Sequence, residues 1–260
     1  ETKALKLRIF DPKINDVANP NILIAGCGTG QQSIGTAAIF KNPTVLAVDL
    51  SLASLAYAKR KTEELDVQNL EYMHADILDL AKLDSQFDIV VSTGVLHHMK
   101  KPMDGWRVLT DCLKPSGLMK VALYSELARQ SVVKIRGEVS QSGIGSSDDA
   151  MRIFRNNIIA SNEDHHKRIV EFSDFYCLSE FRDLLFHVQE HRFTLPQIQG
   201  CLSELGLRFC GFDDDKIVQN FKLTNTGTDD PYNFHKWNLY EEANPNTFTS
   251  MYQFWCQKVV

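Results

Sequence analysis

The run Asn21-Ile22-Leu23-Ile24-Ala25-Gly26-Cys27-Gly28-Thr29-Gly30 restricts the fold more than any other stretch of the chain. Its apolar half predicts a buried parallel strand, because a strand covered on both faces is apolar throughout. Its second half is a glycine loop, and an amphipathic helix is predicted from about Gln31 to Phe40. Glycines let the backbone turn sharply and approach a ligand, and a helix start offers N–H groups without intrahelical partners. A second strand, Thr44 to Val48, ends in Asp49, nineteen residues after Gly30. A carboxylate placed there can accept hydrogen bonds from ribose hydroxyls. Together these features predict an adenosine-type cofactor across the first two strand ends.

The loop reads Gly-x-Gly-x-Gly, whereas the dinucleotide fingerprint is Gly-x-Gly-x-x-Gly, and no Gly-Lys-Ser/Thr ending marks a P-loop. Alone, it also fits a tight connection or another Rossmann-like site. It resembles motif I of the class I S-adenosylmethionine-dependent methyltransferases, and three later segments extend the resemblance in order. A third strand, Leu70 to His74, runs into Ala75-Asp76-Ile77, similar to the family's adenine-edge motif. A fourth, Phe87 to Ser92, leads into Thr93-Gly94-Val95-Leu96-His97-His98-Met99. Leu113-Lys114-Pro115-Ser116-Gly117 then turns into a fifth strand, Leu118 to Leu123, as the family's Leu-Lys-Pro-Gly-Gly turn does.

The resemblance implies S-adenosylmethionine as cofactor and S-adenosylhomocysteine as product. It assigns the methionine portion to Gly26, Cys27, Gly28, Thr29, Gly30 and Gln31 and the ribose to Asp49 with Leu50. The adenine falls to Ala75, Asp76 and Ile77, with Thr93, Gly94 and Val95 beside the reactive end. One position departs from the family: an acid usually stands two residues before the first glycine, and here it is Ile24. Another acceptor, a backbone carbonyl or Asp88, is then expected to compensate.

Strand candidates alternate with helices from about residue 18 to 124, which predicts a doubly wound parallel sheet. The full expectation is an α/β, Rossmann-like seven-stranded, mostly parallel sheet with helices on both faces, forming a single methyltransferase domain over 1–260. Leu207 to Phe212 reads as strand six. Met251 to Gln257 reads as strand seven, which in the family inserts antiparallel between strands five and six. Residues 125–194 are helical and aromatic, with Ser147 as an N-cap, and Leu195 to Leu205 continues helical. Such an excursion from the carboxyl end of strand five is too long for an ordinary loop and reads as a helical cap over the site. A second excursion, 213–246, carries Tyr232, Phe234, His235 and Trp237 and is expected to form another wall.

Composition excludes several classes. A net charge of −5 and a pI near 5.9 disfavour nucleic acid as acceptor. The six cysteines form no Cys-x-x-Cys pair and read as reduced thiols of a cytoplasmic protein, with no metal site. No apolar run reaches membrane-spanning length. The start at Glu1 rather than Met suggests a piece cut from a longer protein.

Methyl transfer from a sulfonium is an in-line displacement that depends on orientation and exclusion of water. A base is needed only for some acceptors, and His97, His98 or Tyr124 could serve; packing against the cofactor is the plainer role for either histidine. Tyr124, Arg129, Tyr176, Arg182, His187, Glu190 and His191 are the expected substrate-lining residues, the arginines anchoring an anionic group or pairing with carboxylates of the cap. His187 to His191 spells His-x-x-Glu-His, a zinc-protease pattern at odds with the methyltransferase series. Asp174 through Thr194, Leu123 to Arg129 and the Tyr-Gln-Phe-Trp terminus resemble bacterial methyltransferase-domain proteins, some fused to tetratricopeptide repeats. The reading is methyl transfer to an O or N acceptor on a small molecule. A protein acceptor recruited by an upstream repeat domain, or a non-catalytic sensor of cofactor or product, are the alternatives.

Overall fold

A computed structural model describes residues 7–84, 86–186 and 190–259. Seven strands form one sheet: β1 (Asn21–Ala25), β2 (Thr44–Asp49), β3 (Leu70–His74), β4 (Phe87–Thr93), β5 (Leu113–Tyr124), β6 (Leu207–Phe212) and β7 (Met251–Lys258). Their order is β3-β2-β1-β4-β5-β7-β6, with β7 antiparallel to both neighbours and the other pairings parallel. The fold is thus the expected Rossmann-like sheet.

Ile22, Leu23, Ile24 and Ala25 are all fully buried because β1 is central and covered on both faces. Side chains alternate across the pleat. Leu23 and Ala25 join the cluster beneath α3 (Pro102–Asp111) and α8 (Leu195–Glu204), while Ile22 and Ile24 join the opposite cluster with Ala37 of α1 (Gln31–Ile39) and Leu55 of α2 (Leu52–Glu64).

Strand five differs from expectation. The Leu-Lys-Pro-Ser-Gly segment is not a turn before the strand but a bulge inside it. Phe87 pairs with Leu113 and Ile89 with Leu118, so two steps on β4 face five on β5. Ser116 takes φ +67° within that bulge.

Residues 125–194 contain α4 (Gln130–Ser142), α5 (Asp148–Ala160), α6 (Asp164–Ile169) and α7 (Leu178–Phe186). Ser147 Oγ accepts from Ala150 N, the N-cap read from sequence. These helices surround their own apolar cluster, including Ile135, Met151, Phe154, Phe175, Phe181 and Leu184, apart from the two sheet clusters. The chain returns along the end of β5: Phe193 N donates to Tyr124 O at 2.9 Å and Glu126 N to Phe193 O at 2.9 Å.

The second excursion holds α9 (Asp215–Lys222) and α10 (Phe234–Ala243). Phe234 and Trp237 are buried in the sheet core rather than walling a site. Trp237 stacks on Phe221 at 3.8 Å and donates to Pro231 O, while Phe234 lies 4.4 Å from Phe209, ring to ring. Tyr232 packs beside Gly211, and His235 is exposed. No helix among the described residues is long and apolar enough to cross a membrane.

Candidate active site

A cavity of about 360 Å³ opens at the carboxyl ends of β1, β2 and β4. That edge is where ligands bind in open α/β sheets. Gly26 takes φ +82°, and a Cβ built there would stand 2.2 Å from Val95 Cγ2. The loop after β1 therefore passes directly against the turn after β4, an approach only glycine permits.

Asp49 organises this corner. Its Oδ2 accepts from Gly28 N at 2.7 Å and its Oδ1 from Ser51 N at 2.8 Å, so one carboxylate braces both the glycine loop and the start of α2. Each carboxylate oxygen has a second lone pair, so the same group can still accept from hydroxyls. Gly26 N and Cys27 N both donate to Val48 O, at 2.8 and 3.0 Å, fixing the loop to β2. Cys27 is not a nucleophile: burial, with the Asp49 charge adding to it, pushes its thiol up to about 12.

Of the residues the motif series assigned to the cofactor, Gly26, Asp49, Leu50, Ala75, Asp76, Ile77 and Val95 line this cavity. Asp76 Oδ1 also accepts from Leu78 N at 2.8 Å, capping the short turn that carries Ile77. Cys27, Gly28, Thr29 and Gly30 belong to the glycine loop, and Thr93 and Gly94 to the end of β4 and the turn after it, without lining the cavity. Gln31 is exposed; its neighbour Gln32 is the residue that reaches across, donating to Thr93 Oγ1 at 3.2 Å. The sequence reading missed Gln32, along with Val48, Leu78, Met99 and Lys100 on the cavity wall. Met99 closes the run read after strand four without having been assigned to the site, and Lys100 follows it.

Asp88 does not compensate for Ile24. It sits at the opposite edge of the sheet, where its carboxylate accepts from Asn21 N at 2.9 Å and pairs with Lys114 at 3.0 Å. A five-residue strand separates Asn21 from the glycine loop, about 13 Å at the usual rise per residue. Ile24 itself is fully buried in the core.

The two histidines part company. His98 lines the cavity, whereas the His97 ring is fully buried and stacks on Tyr124 at 3.7 Å and 26°. The Arg129 guanidinium lies over the other part of this column, 3.6 Å from the Tyr124 ring centroid. Glu190 clamps Arg129 bidentately, with Nε at 2.8 Å and a terminal nitrogen at 2.7 Å, and Ser250 Oγ accepts from the remaining nitrogen. Arg136 also pairs with Glu190 at 2.9 Å, and His191 N donates to His97 O at 2.8 Å. The helical segment is thereby tied to the turn that carries His98.

Burial would raise the Glu190 carboxyl, but the hydrogen bonds and charges of Arg129, Arg136 and Arg192 outweigh it and hold the group below its ordinary range. Burial raises the Tyr124 phenol, the Arg129 charge only partly opposing it, so Tyr124 is a hydrogen-bond donor rather than a ready base. Arg129 and Glu190, each 1% exposed, are thus a buried pair rather than open anchors. Arg182 pairs with Asp148 on the surface, and Tyr176 is exposed, its hydroxyl donating to Val170 O. His187 lies outside the described residues, and Glu190 of the His-x-x-Glu-His pattern is occupied by arginines.

Residues 22–117 match the methyltransferase-domain family, a span that contains the glycine loop, Asp49, Asp76 and the histidine turn. Over that span the chain is similar to methyltransferase domains, and its sheet has the Rossmann-like order. It is 26% identical over 239 residues to an uncharacterized protein of Synechococcus, covering 86% of this chain and 56% of that protein. It is 27% identical over 114 residues to a ubiquinone biosynthesis O-methyltransferase of Acinetobacter baumannii, covering 44% of this chain and 47% of the relative. Among solved structures, PKMT2 from Rickettsia typhi in complex with AdoHcy superposes with a TM-score of 0.69 at 17% identity, over 91% of this chain and 48% of that one. At that identity the likeness is one of fold. The chain spans about half the length of the curated relatives it matches.

Proposed function

We propose that the domain transfers a methyl group in line from S-adenosylmethionine to an oxygen or nitrogen of a small molecule held between the sheet edge and the helical segment 125–194. The observation that carries this reading is the position of Asp49 between the Gly26–Gly30 loop and the cavity. Bound there, the sulfonium cofactor would supply an electrophilic methyl group. Asp49 would hold the ribose, Asp76 the adenine amino group, with Ala75, Ile77 and Leu50 against the base. The cavity size, within the usual range of small-ligand pockets, and the loop that only glycine allows at Gly26 both support the fit.

His98 is the histidine we assign to the acceptor side, since it is the one facing the cavity. His97, buried beneath it against Tyr124, would position the turn. Gln32 and Thr93, bridged across the loop, would take the part that the missing acid at Ile24 plays toward the methionine ammonium. Six free thiols among the described residues support a cytoplasmic setting. The greater length of the relatives leaves room for a recruiting domain and a protein acceptor.

Calorimetry with S-adenosylhomocysteine tests the cofactor site. Asp49→Ala is expected to weaken binding by at least about tenfold, the equivalent of losing one good charge-assisted hydrogen bond. Unchanged affinity would refute the assignment. Labelled donor, offered with a lysate and separated into small-molecule and protein fractions, tests the acceptor. Ile24 favours a second reading, a sensor that binds without turnover; tight binding with no labelled fraction would select it.

A further inference from the structure

One cluster of ligand-type side chains lies outside the cofactor cleft and has no part in the reading above. Glu138 on α4 faces two consecutive residues of α6, His165 and His166. Its Oε1 lies 2.5 Å from His165 Nε2 and its Oε2 lies 2.8 Å from His166 Nε2. One ligand atom from each of the three residues falls within a 4.8 Å sphere of separations. The histidine side chains are 12% and 13% exposed, and Glu138 is 36% exposed, so the group is walled on the helix side and open toward solvent.

We propose that Glu138, His165 and His166 form a binding site for a divalent transition-metal ion of the zinc type, clasping α6 to α4. Two imidazole nitrogens and one carboxylate suit zinc, cobalt or nickel, whereas magnesium and calcium take oxygen ligands throughout. Two histidines and a glutamate with a fourth position left to water are an established zinc geometry. Zinc–nitrogen and zinc–oxygen bonds of about 2.0–2.1 Å in a tetrahedron set ligand atoms roughly 3.3 Å apart. One nitrogen from each histidine and one oxygen of Glu138 already lie within 4.8 Å of one another, so gathering them around one ion takes side-chain adjustment of about an ångström or two. A cavity of about 470 Å³ borders His165 and is lined by Asp164 and Glu171, together with Lys134, Lys167 and Arg168. It gives water access to the fourth position.

What the other ring nitrogens meet sets the affinity. Ligating histidines usually donate through that nitrogen, and His166 Nδ1 is buried without a hydrogen-bond partner among the described residues. Absence of such a partner weakens a site by about 10–100-fold, so micromolar rather than nanomolar binding is expected. The rival is a plain hydrogen-bonded clasp that holds no ion.

Competition between the purified full chain and a chromophoric zinc indicator at neutral pH distinguishes the two. The expected result is one zinc ion per chain in the micromolar range, with magnesium giving no competition. Cobalt should give the visible absorption of a tetrahedral site. Glu138→Gln is expected to weaken zinc by about tenfold and H165A/H166A by at least about a hundredfold. Affinity for S-adenosylhomocysteine should be unchanged in both, which separates failure here from failure of the cofactor assignment. Zinc binding unaltered in the double variant would overturn the proposal. So would binding of the wild type no tighter than millimolar, or a cobalt spectrum no different from the aqueous ion; these two readouts stand even if the double variant fails to fold.

Discussion

Gly26 and Gly28 occupy equivalent places in a repeated pattern, yet the structure sets them different tasks. Both have positive φ, +82° and +52°, which disfavours any side chain by roughly 1–2 kcal/mol. Only Gly26 also meets a wall, since a methyl there would stand 2.2 Å from Val95 Cγ2, while nothing lies within 4 Å of one at Gly28. Overpacking adds about 1–3 kcal/mol. Gly26→Ala is therefore expected to lose roughly 3 kcal/mol by urea unfolding and most of its S-adenosylhomocysteine affinity. Gly28→Ala should lose only about 1 kcal/mol. Equal losses would mean that the contact between the two turns is not what selects glycine. At the same scale, the glycine spacing was legible because backbone geometry dictates it. That Gln32 and not Gln31 faces Thr93 was not, because one residue along a helix start turns the side chain through about 100°.

Two buried carboxylates join the elements around the site, and their electrostatics run in opposite directions. Glu190 lies among three guanidinium groups on the segment returning from α7. Glu241 on α10 has hydroxyls instead: Tyr252 at 2.8 Å and Ser125 at 2.9 Å. Burial raises the Glu241 carboxyl, and the hydrogen bonds from Tyr252 and Ser125 only partly oppose it. The depressed group at Glu190 contributes stability that is present above the ordinary carboxylate range, about 4.3, and lost as pH falls through its folded value. The raised group at Glu241 does the reverse: its contribution is full below that range and lost as pH rises through its folded value. Urea unfolding of Glu190→Gln and Glu241→Gln at about pH 4 and about pH 7.5 checks the signs. The deficit of Glu190→Gln should be largest near neutrality, about 3–5 kcal/mol for a broken buried pair, and shrink in acid. That of Glu241→Gln should be largest in acid and shrink toward neutrality. Trends of the same sign would refute the argument. The strands were readable because apolar runs and turn residues are local signals, whereas the antiparallel place of β7 came only from the family resemblance. The Arg129–Glu190 pair was not, because residues 61 apart in sequence meet only once α4 and the return segment fold together. Glu138, His165 and His166 escaped for the same reason, separated by 27 and 28 residues with no ligand motif.

At the scale of the whole molecule the described residues form three apolar clusters, two pressed on the sheet and one enclosed by α4 to α7. A separate cluster is expected to let its helices open without unfolding the sheet. The column His97–Tyr124–Arg129–Glu190 is one connection between them, beside the backbone bonds of Phe193 and His191, and runs from the turn beside the cavity to the base of α4. A ligand bound at the sheet edge stabilises the native state by about 2.7 kcal/mol at a hundred times its dissociation constant, a melting shift of roughly 5–10 °C. That stabilisation should not spread evenly. Hydrogen exchange with saturating S-adenosylhomocysteine is expected to slow amides of β1, β2 and β4 most. The first turn of α4, held by Arg129 and Ser125, should follow, and α5, which meets neither the cavity nor the column, should be nearly unaffected. In Glu190→Gln the α4 response should vanish while the sheet response persists, because the guanidinium stacked on Tyr124 has lost its clamp. Equal protection of α5 and β1 in the wild type would make the molecule one cooperative unit and remove the column from its linking role.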